Sequence, residues 1–358
     1  MAPPTDPDTG ARLDAEAVAA VDSTGQAAEI VDLPTHLRDA LWRVDSAGVP
    51  PLDAPGGLIV AGMGGSAVGG RLALAALGGR LSRPFAVADG YALPSWAGPQ
   101  QLVLCASYSG DTEETLAAYD DALGRGAPRL VATTGGALAE RARRDGAPVI
   151  PLPGGFQPRA AVGYGLVSAL EAAALAGAGP SLRGEVEAAA ALARTLAAEW
   201  GPDGDEDGEA KALARTLHGT VPVIAGAELT APVAYRWKCQ INENAGLPAF
   251  ASTLPELDHN EVVGWPGSEG LGPFSAVFLE DAGAHPRNAL RSELTAEEAR
   301  AGARVVERVS ARGDTPLERL VSLVLLGDLV SLYLAVLAGT DPVDIAPIDR
   351  LKAALAER

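Results

Sequence analysis

Two short segments concentrate glycine and hydroxyl side chains, and each follows a run of apolar residues. The first is Gly62-Met-Gly-Gly-Ser66, after Leu58-Ile-Val-Ala61. The second is Ser107-Tyr-Ser-Gly-Asp-Thr112, after Leu102-Val-Leu-Cys-Ala106. Helical patterns follow both, through Leu77 and Leu123 respectively. A glycine-containing turn that opens a helix presents backbone N–H groups where the helix dipole is positive. Surrounded by Gly65, Ser66, Ser107, Ser109 and Thr112, such groups suit a phosphate dianion and need no lysine. Capping of two helices is the simpler use of the same hydroxyls. Two such turns side by side in a parallel sheet favour a shared ligand instead. A dinucleotide site fits poorly, because the first turn only partly matches the G-x-G-x-x-G pattern. The nearest acid, Asp89, also falls beyond the next strand.

The elements that would hold these turns come in a repeated order. Apolar strands at residues 58–61, 102–106, 129–133 and 148–152 alternate with helices, and residues 166–198 read as largely helical. The pattern restarts with a strand at 221–226 and a helix over 230–244. Strands at 275–280 and 304–309 and a long apolar helix over 317–338 follow. Short apolar strands between helices imply a parallel sheet covered on both faces. The fold class expected is α/β: two similar domains, each a doubly wound parallel sheet flanked by helices, with ligands at the carboxyl ends of the strands. Residues 1–55 form an N-terminal tail and helix, the first 25 of them frayed. The first domain spans 56–180 and carries the phosphate loops; a helical linker spans 181–215; the second domain spans 216–358. Within the linker, 199–209 is an acidic, glycine-containing insertion expected to do no more than meet solvent.

Bulk composition narrows the functions available. The chain has 358 residues, 47% of them apolar, so two cores can be built. Its net charge of -18 argues against a nucleic-acid partner, which needs a broad basic face. A local positive pocket for a small anion is still compatible with that charge. Cys105 and Cys239 do not suggest a disulfide framework, and a cytoplasmic location fits. The start of the chain lacks the basic and apolar regions of a signal peptide. The apolar stretch 320–338 imitates a membrane span. Asp328 near its middle would cost about 2.5–3.5 kcal/mol in a bilayer, so a buried core helix and no membrane partner are expected. The four histidines, at 36, 218, 259 and 285, have no ligand spacing, so neither a metal nor another cofactor is expected. Lysine is scarce: Lys211, Lys238 and Lys352 alone among 28 basic residues. In a chain that prefers arginine, each could mark a site that needs a compact charge.

The two hydroxyl-rich turns resemble the sugar-phosphate loops of sugar-isomerase (SIS) domains. Three later segments are similar to bifunctional phosphoglucose/phosphomannose isomerases of archaea and bacteria. They are Lys238-Cys-Gln-Ile-Asn-Glu-Asn244, Pro255-Glu-Leu-Asp-His-Asn-Glu-Val-Val-Gly-Trp265 and Ile348-Asp-Arg-Leu-Lys352, and the similarity runs from Gly57 to Lys352.

The resemblance implies an aldose–ketose isomerase that interconverts glucose 6-phosphate with fructose 6-phosphate by metal-free proton transfer through an enediolate. It implies Glu243 as the proton shuttle, a role helped by partial burial. Arg159, in Gln157-Pro-Arg-Ala-Ala-Val-Gly-Tyr164, matches the arginine that stabilises the enediolate. His259 matches a ring-opening histidine supplied across a homodimer interface, and Lys352 a lysine that assists it. Asp258 and Glu261 are both placed to orient His259, and the sequence does not choose between them. Lys238 receives no role. One departure concerns mannose 6-phosphate, whose acceptance is linked in this family to a hydroxyl shortly before the terminal lysine. Here that stretch, Asp344-Ile-Ala-Pro-Ile348, has none. The rival reading is a regulatory SIS protein that binds a sugar phosphate without turnover. Such a protein need not keep Glu243, Arg159, His259 and Lys352 together. A SIS amidotransferase would require a nucleophilic N-terminal cysteine, and the chain begins Met-Ala-Pro.

Overall fold

Leu58–Gly62 and Leu102–Ala106 are buried at every position, as strands covered on both faces must be. They are β1 and β3 of a parallel sheet completed by β2 (Phe85–Ala88), β4 (Arg129–Thr133) and β5 (Val149–Pro151), in the order β2-β1-β3-β4-β5. The structure is a computed structural model and describes residues 11–357.

Helices α1 (Ala15–Ala19), α2 (Gln26–Val31) and α3 (Leu33–Ala47) precede the sheet. Its crossovers and following helices are α4 (Gly64–Leu77), α5 (Glu113–Gly124), α6 (Gly136–Asp145), α7 (Val162–Leu175) and α8 (Arg183–Trp200). Alternate side chains of a strand point to opposite faces. Ile59, Ala61, Val103, Cys105 and Val131 therefore share one face, packed with Ala118, Tyr119 and Ala122 of α5 and Leu138 and Ala142 of α6. On the other face Val60 meets Gly70 of α4, which crosses α7 closely. A Cβ on Gly69 would stand 2.6 Å from the Gly165 carbonyl carbon, so that crossing requires glycine. Helices on both faces make the sheet doubly wound.

The same order recurs. After α9 (Glu209–Leu217) come β6 (Val221–Ala227), α10 (Ala231–Asn244), β7 (Phe250–Leu254), β8 (Phe274–Glu280), α11 (Pro286–Ala299), β9 (Val305–Ser310), α12 (Pro316–Ala338) and α13 (Ala346–Ala356). The second sheet is parallel, in the order β7-β6-β8-β9. Strand β6 thus takes the place of β1, and β8 that of β3. By its internal contacts the chain divides into two compact units. One comprises Asp32–Arg194 with Arg312–Val321 and contains the first sheet. The other comprises the chain up to Val31, Thr195–Ala311 and everything from Ser322 onward, and contains the second. Helix α12 is long and apolar enough to cross a membrane, and it is largely buried. Its Asp328 is paired with Arg236 of α10 at 2.6 Å.

Two expectations need correction. Residues 1–10 of the expected frayed tail lie outside the described residues, but Leu13 is fully buried and α1 follows at once. The acidic stretch 199–209 does more than meet solvent. Glu206 accepts the Leu13 N–H at 2.7 Å and pairs with Lys211 and Arg215. Lys211 is 1% exposed, and its ammonium also donates to the carbonyls of Pro202 at 3.1 Å and Gly204 at 3.0 Å. A buried ammonium needs such oxygens around it. The turn supplies them, and Lys211 is structural.

Candidate active site

Strands β1 and β3 are neighbours in register, Gly62 beside Ala106, so the turns that follow them are adjacent at one sheet edge. This is the point where the strand order reverses, the place where open α/β sheets bind ligands. A Cβ on Gly62 would meet the Ala106 carbonyl oxygen at 2.8 Å and the Ser66 Cβ at 3.1 Å, so only glycine lets the turns approach. Ser107 is buried, and its Oγ lies 2.8 Å from Thr112 Oγ1 and accepts the Gly110 N–H at 3.1 Å. Ser109 Oγ accepts the Asp111 N–H at 3.2 Å. The Asp111 carboxylate accepts from Ala137 N at 2.9 Å, in the first turn of α6.

Capping does not account for the hydroxyls. Thr112 occupies the N-cap position of α5 but makes no side-chain cap. At α4 the N-cap is Met63, which also caps nothing. Two helix N-termini therefore open onto the same edge without side-chain caps, and such ends bind anions. Thr115, in the first turn of α5, is buried, and its hydroxyl has no protein partner among the described residues. In the sequence Thr115 stands one step beyond the hydroxyls of the second turn, as a further member of the same set.

Arg159 belongs to the same unit and is brought against the first of these turns. A Cβ on Gly65 would stand 3.2 Å from the Pro158 carbonyl oxygen and 3.6 Å from the Arg159 Cα. Arg159 sits in a tight turn, with Ala160 N donating to Gln157 O at 2.9 Å, and is 4% exposed. Gly65, Ser66, Ser107, Ser109, Thr112 and Arg159 thus occupy one edge of the first sheet.

Glu243, His259 and Lys352 belong to the other unit and sit on three separate elements. The two asparagines of the Asn-Glu-Asn triplet have different partners. Asn244 is buried and donates to Ser331 Oγ at 2.9 Å, whereas Asn242 donates to the Leu247 carbonyl at 2.8 Å and closes the following turn. Trp237 Nε1 donates to the Leu323 carbonyl at 2.8 Å, and the indole lies where a Cβ on Gly327 would be. With the Arg236–Asp328 pair, these anchors fix the rotation of α10. Residues four apart share a helix face, so Tyr235, Cys239 and Glu243 are left together on the face that is not buried. Burial raises the pKa of the Cys239 thiol, Lys238 lowers it, and the nearby Glu243 carboxylate raises it further. Lys238 lies over the Tyr235 ring at 5.5 Å.

His259 ends a short 3-10 turn after β7 and is exposed. The Asp258 carboxylate accepts from Arg291 at 2.7 Å and Thr295 at 2.6 Å, while Glu261 accepts from Ser252. Both flanking acids thus brace their own loops. Lys352 is exposed on α13 beside Leu351.

Residues 206–355 match the bacterial phospho-glucose isomerase C-terminal SIS domain. A glucose-6-phosphate isomerase like protein from Thermus thermophilus shares the fold, with a TM-score of 0.62 at 23% identity over 96% of this chain and 99% of that one. Two parallel sheets wound in the same order define a double SIS-domain protein of the isomerase class. The chain is 39% identical to a bifunctional phosphoglucose/phosphomannose isomerase of Caldicellulosiruptor bescii, over 84% of this chain and 89% of the relative. The corresponding protein of Aquifex aeolicus is 37% identical over 83% and 89%. This chain belongs to the bifunctional phosphoglucose/phosphomannose isomerase family.

Proposed function

We propose that this protein interconverts glucose 6-phosphate and fructose 6-phosphate, moving one proton between C1 and C2, and accepts mannose 6-phosphate less well. The observation that carries the phosphate assignment is the pair of uncapped helix N-termini at the β1/β3 edge, lined by Ser107, Ser109 and Thr112. The phosphoryl group is held by Gly65 and Ser66 of the first turn and these hydroxyls of the second. Arg159 stabilises the enediolate, a role that suits a guanidinium because it stays charged at every working pH. Glu243 takes the proton from one carbon and returns it to the other. Ring opening falls to Lys352 and to His259 of the partner subunit.

The homodimer in this reading is supported by the surroundings of His259. The exposed side chains of Val263 and Leu271 follow it in sequence. Leu290 and Leu294 of α11 line a groove of about 260 Å³ together with Asp258, Val262, Arg291 and Glu298, an exposed apolar patch with a charged rim, as a subunit interface would have. A cytoplasmic location goes with two cysteines that form no disulfide. The weaker mannose reading follows from the lack of a hydroxyl in Asp344-Ile-Ala-Pro-Ile348.

A coupled assay from fructose 6-phosphate, read separately for glucose 6-phosphate and mannose 6-phosphate with chelator present, tests this function. Turnover in chelator, faster to the glucose product, is expected. Binding of fructose 6-phosphate without turnover would replace the isomerase with a regulatory sugar-phosphate binder.

A further inference from the structure

The segment that carries Arg159 is held from two sides, and both holds come from the phosphate turns. Gly65 of the first turn admits the Pro158–Arg159 backbone because it has no Cβ. The second hold is Tyr108, which stands between Ser107 and Ser109. Its hydroxyl accepts the Phe156 N–H at 2.9 Å, three residues before Arg159. Its own carbonyl accepts from Thr134 N at 3.1 Å and from Thr134 Oγ1 at 2.8 Å, which fixes the tyrosine backbone to the end of β4. The Phe156 ring packs on His36 at 4.7 Å and on Tyr164 at 6.0 Å, so the segment is seated on α3 and α7 as well. The turn after β3 and the Arg159 turn are therefore joined by a direct hydrogen bond and share the same neighbours.

From this geometry we infer that Tyr108 is a positioning residue, which transmits occupancy of the phosphate turns to the guanidinium of Arg159. The inference rests on the role given above to Arg159. Its physical content is that binding energy from the phosphoryl end, remote from the reacting carbons, is used to orient a group at them. Tyr108 itself need not touch the sugar. Its loss should lower kcat while the phosphate contacts, made by other groups, persist.

A double-mutant cycle tests this. Tyr108→Phe should lower kcat about threefold to thirtyfold. The inhibition constant of a hexitol 6-phosphate, which cannot isomerise, should stay within about twofold. In an Arg159→Ala background the same change should cost less than about twofold more, because the hydroxyl then has nothing to position. Equal costs in both backgrounds would mean a merely structural role and overturn the inference. So would an unchanged kcat for Tyr108→Phe where Arg159→Ala is crippled, with the role of Arg159 intact. If Arg159→Ala is fully active, that role and the inference fall together. A measurement on the unmutated enzyme covers the case in which Tyr108→Phe does not fold. Saturating inorganic phosphate should slow hydrogen exchange at the Phe156 amide about threefold or more, and no change would also refute the coupling.

Discussion

Ser107 Oγ and Thr112 Oγ1 stand 2.8 Å apart and close the turn after β3 across its mouth. The bond keeps the Thr112 hydroxyl away from α5, so the helix N-terminus stays open to an anion. Ser109→Ala and Thr112→Val should each raise KM for glucose 6-phosphate about tenfold to a hundredfold, the value of a hydrogen bond to a charged group. kcat should change much less. Steady-state kinetics with each variant checks the split, and an unchanged KM would place the phosphate elsewhere.

The SIS domains make a prediction about acid stability through His36. The ring is 2% exposed, and neither of its nitrogens has a hydrogen-bond partner among the described residues. Burial lowers its pKa, with Asp32 and Asp39 opposing the shift less strongly. The unfolded chain then binds a proton more readily than the native one. The associated stability is complete above the ordinary histidine pKa of about 6.5 and is lost as the pH falls below it. Urea unfolding between pH 7.5 and 5 should show this slope, and His36→Leu should flatten it. An equal slope in the variant would remove His36 as its source.

The pair between Arg236 and Asp328 fixes α10, and with it Glu243. Both side chains are nearly inaccessible, and burial raises the Asp328 carboxyl against the opposing effect of Arg236. Asp328→Ala leaves a buried guanidinium and should destabilise the protein by about 3–5 kcal/mol. Arg236→Met combined with Asp328→Leu should restore most of that in chemical denaturation. A double variant as unstable as the single one would show that packing, rather than the uncompensated charge, is responsible.

Sharing of residues between subunits has a direct test by mixing two dead enzymes. Glu243→Gln and His259→Ala should each be nearly inactive. Co-refolded in equal amounts, they should recover about a quarter of wild-type activity, because half the dimers are mixed and each mixed dimer has one intact site. No recovery in verified mixed dimers would confine His259 to its own subunit.

The buried strands β1, β3, β4, β6 and β8 are legible in the sequence because a parallel strand covered on both faces is an uninterrupted apolar run. Edge strand β7 is not. Only Ser252 and Leu254 are buried in it, and Pro248 and Pro255 flank it, so it carries neither a run nor a clear alternation. Helix α11 escapes for a related reason: its buried face is Ser292, Thr295, Ala296 and Ala299, too small and polar to register as hydrophobic periodicity. The two hydroxyl-rich turns can be read because each is contiguous. The Tyr108–Phe156 link joins residues 48 apart and leaves no local pattern. The separate tasks of Asn242 and Asn244 depend likewise on Leu247 and Ser331, which local spacing does not point to.

The account depends most on Glu243 as the group that moves the proton. Exchange of deuterium from solvent into C2 of glucose 6-phosphate, followed by NMR, measures that step. Glu243→Gln should slow it about a hundredfold to ten-thousandfold while a hexitol 6-phosphate still binds within a few-fold of wild type. Exchange at the wild-type rate in that variant would contradict the account.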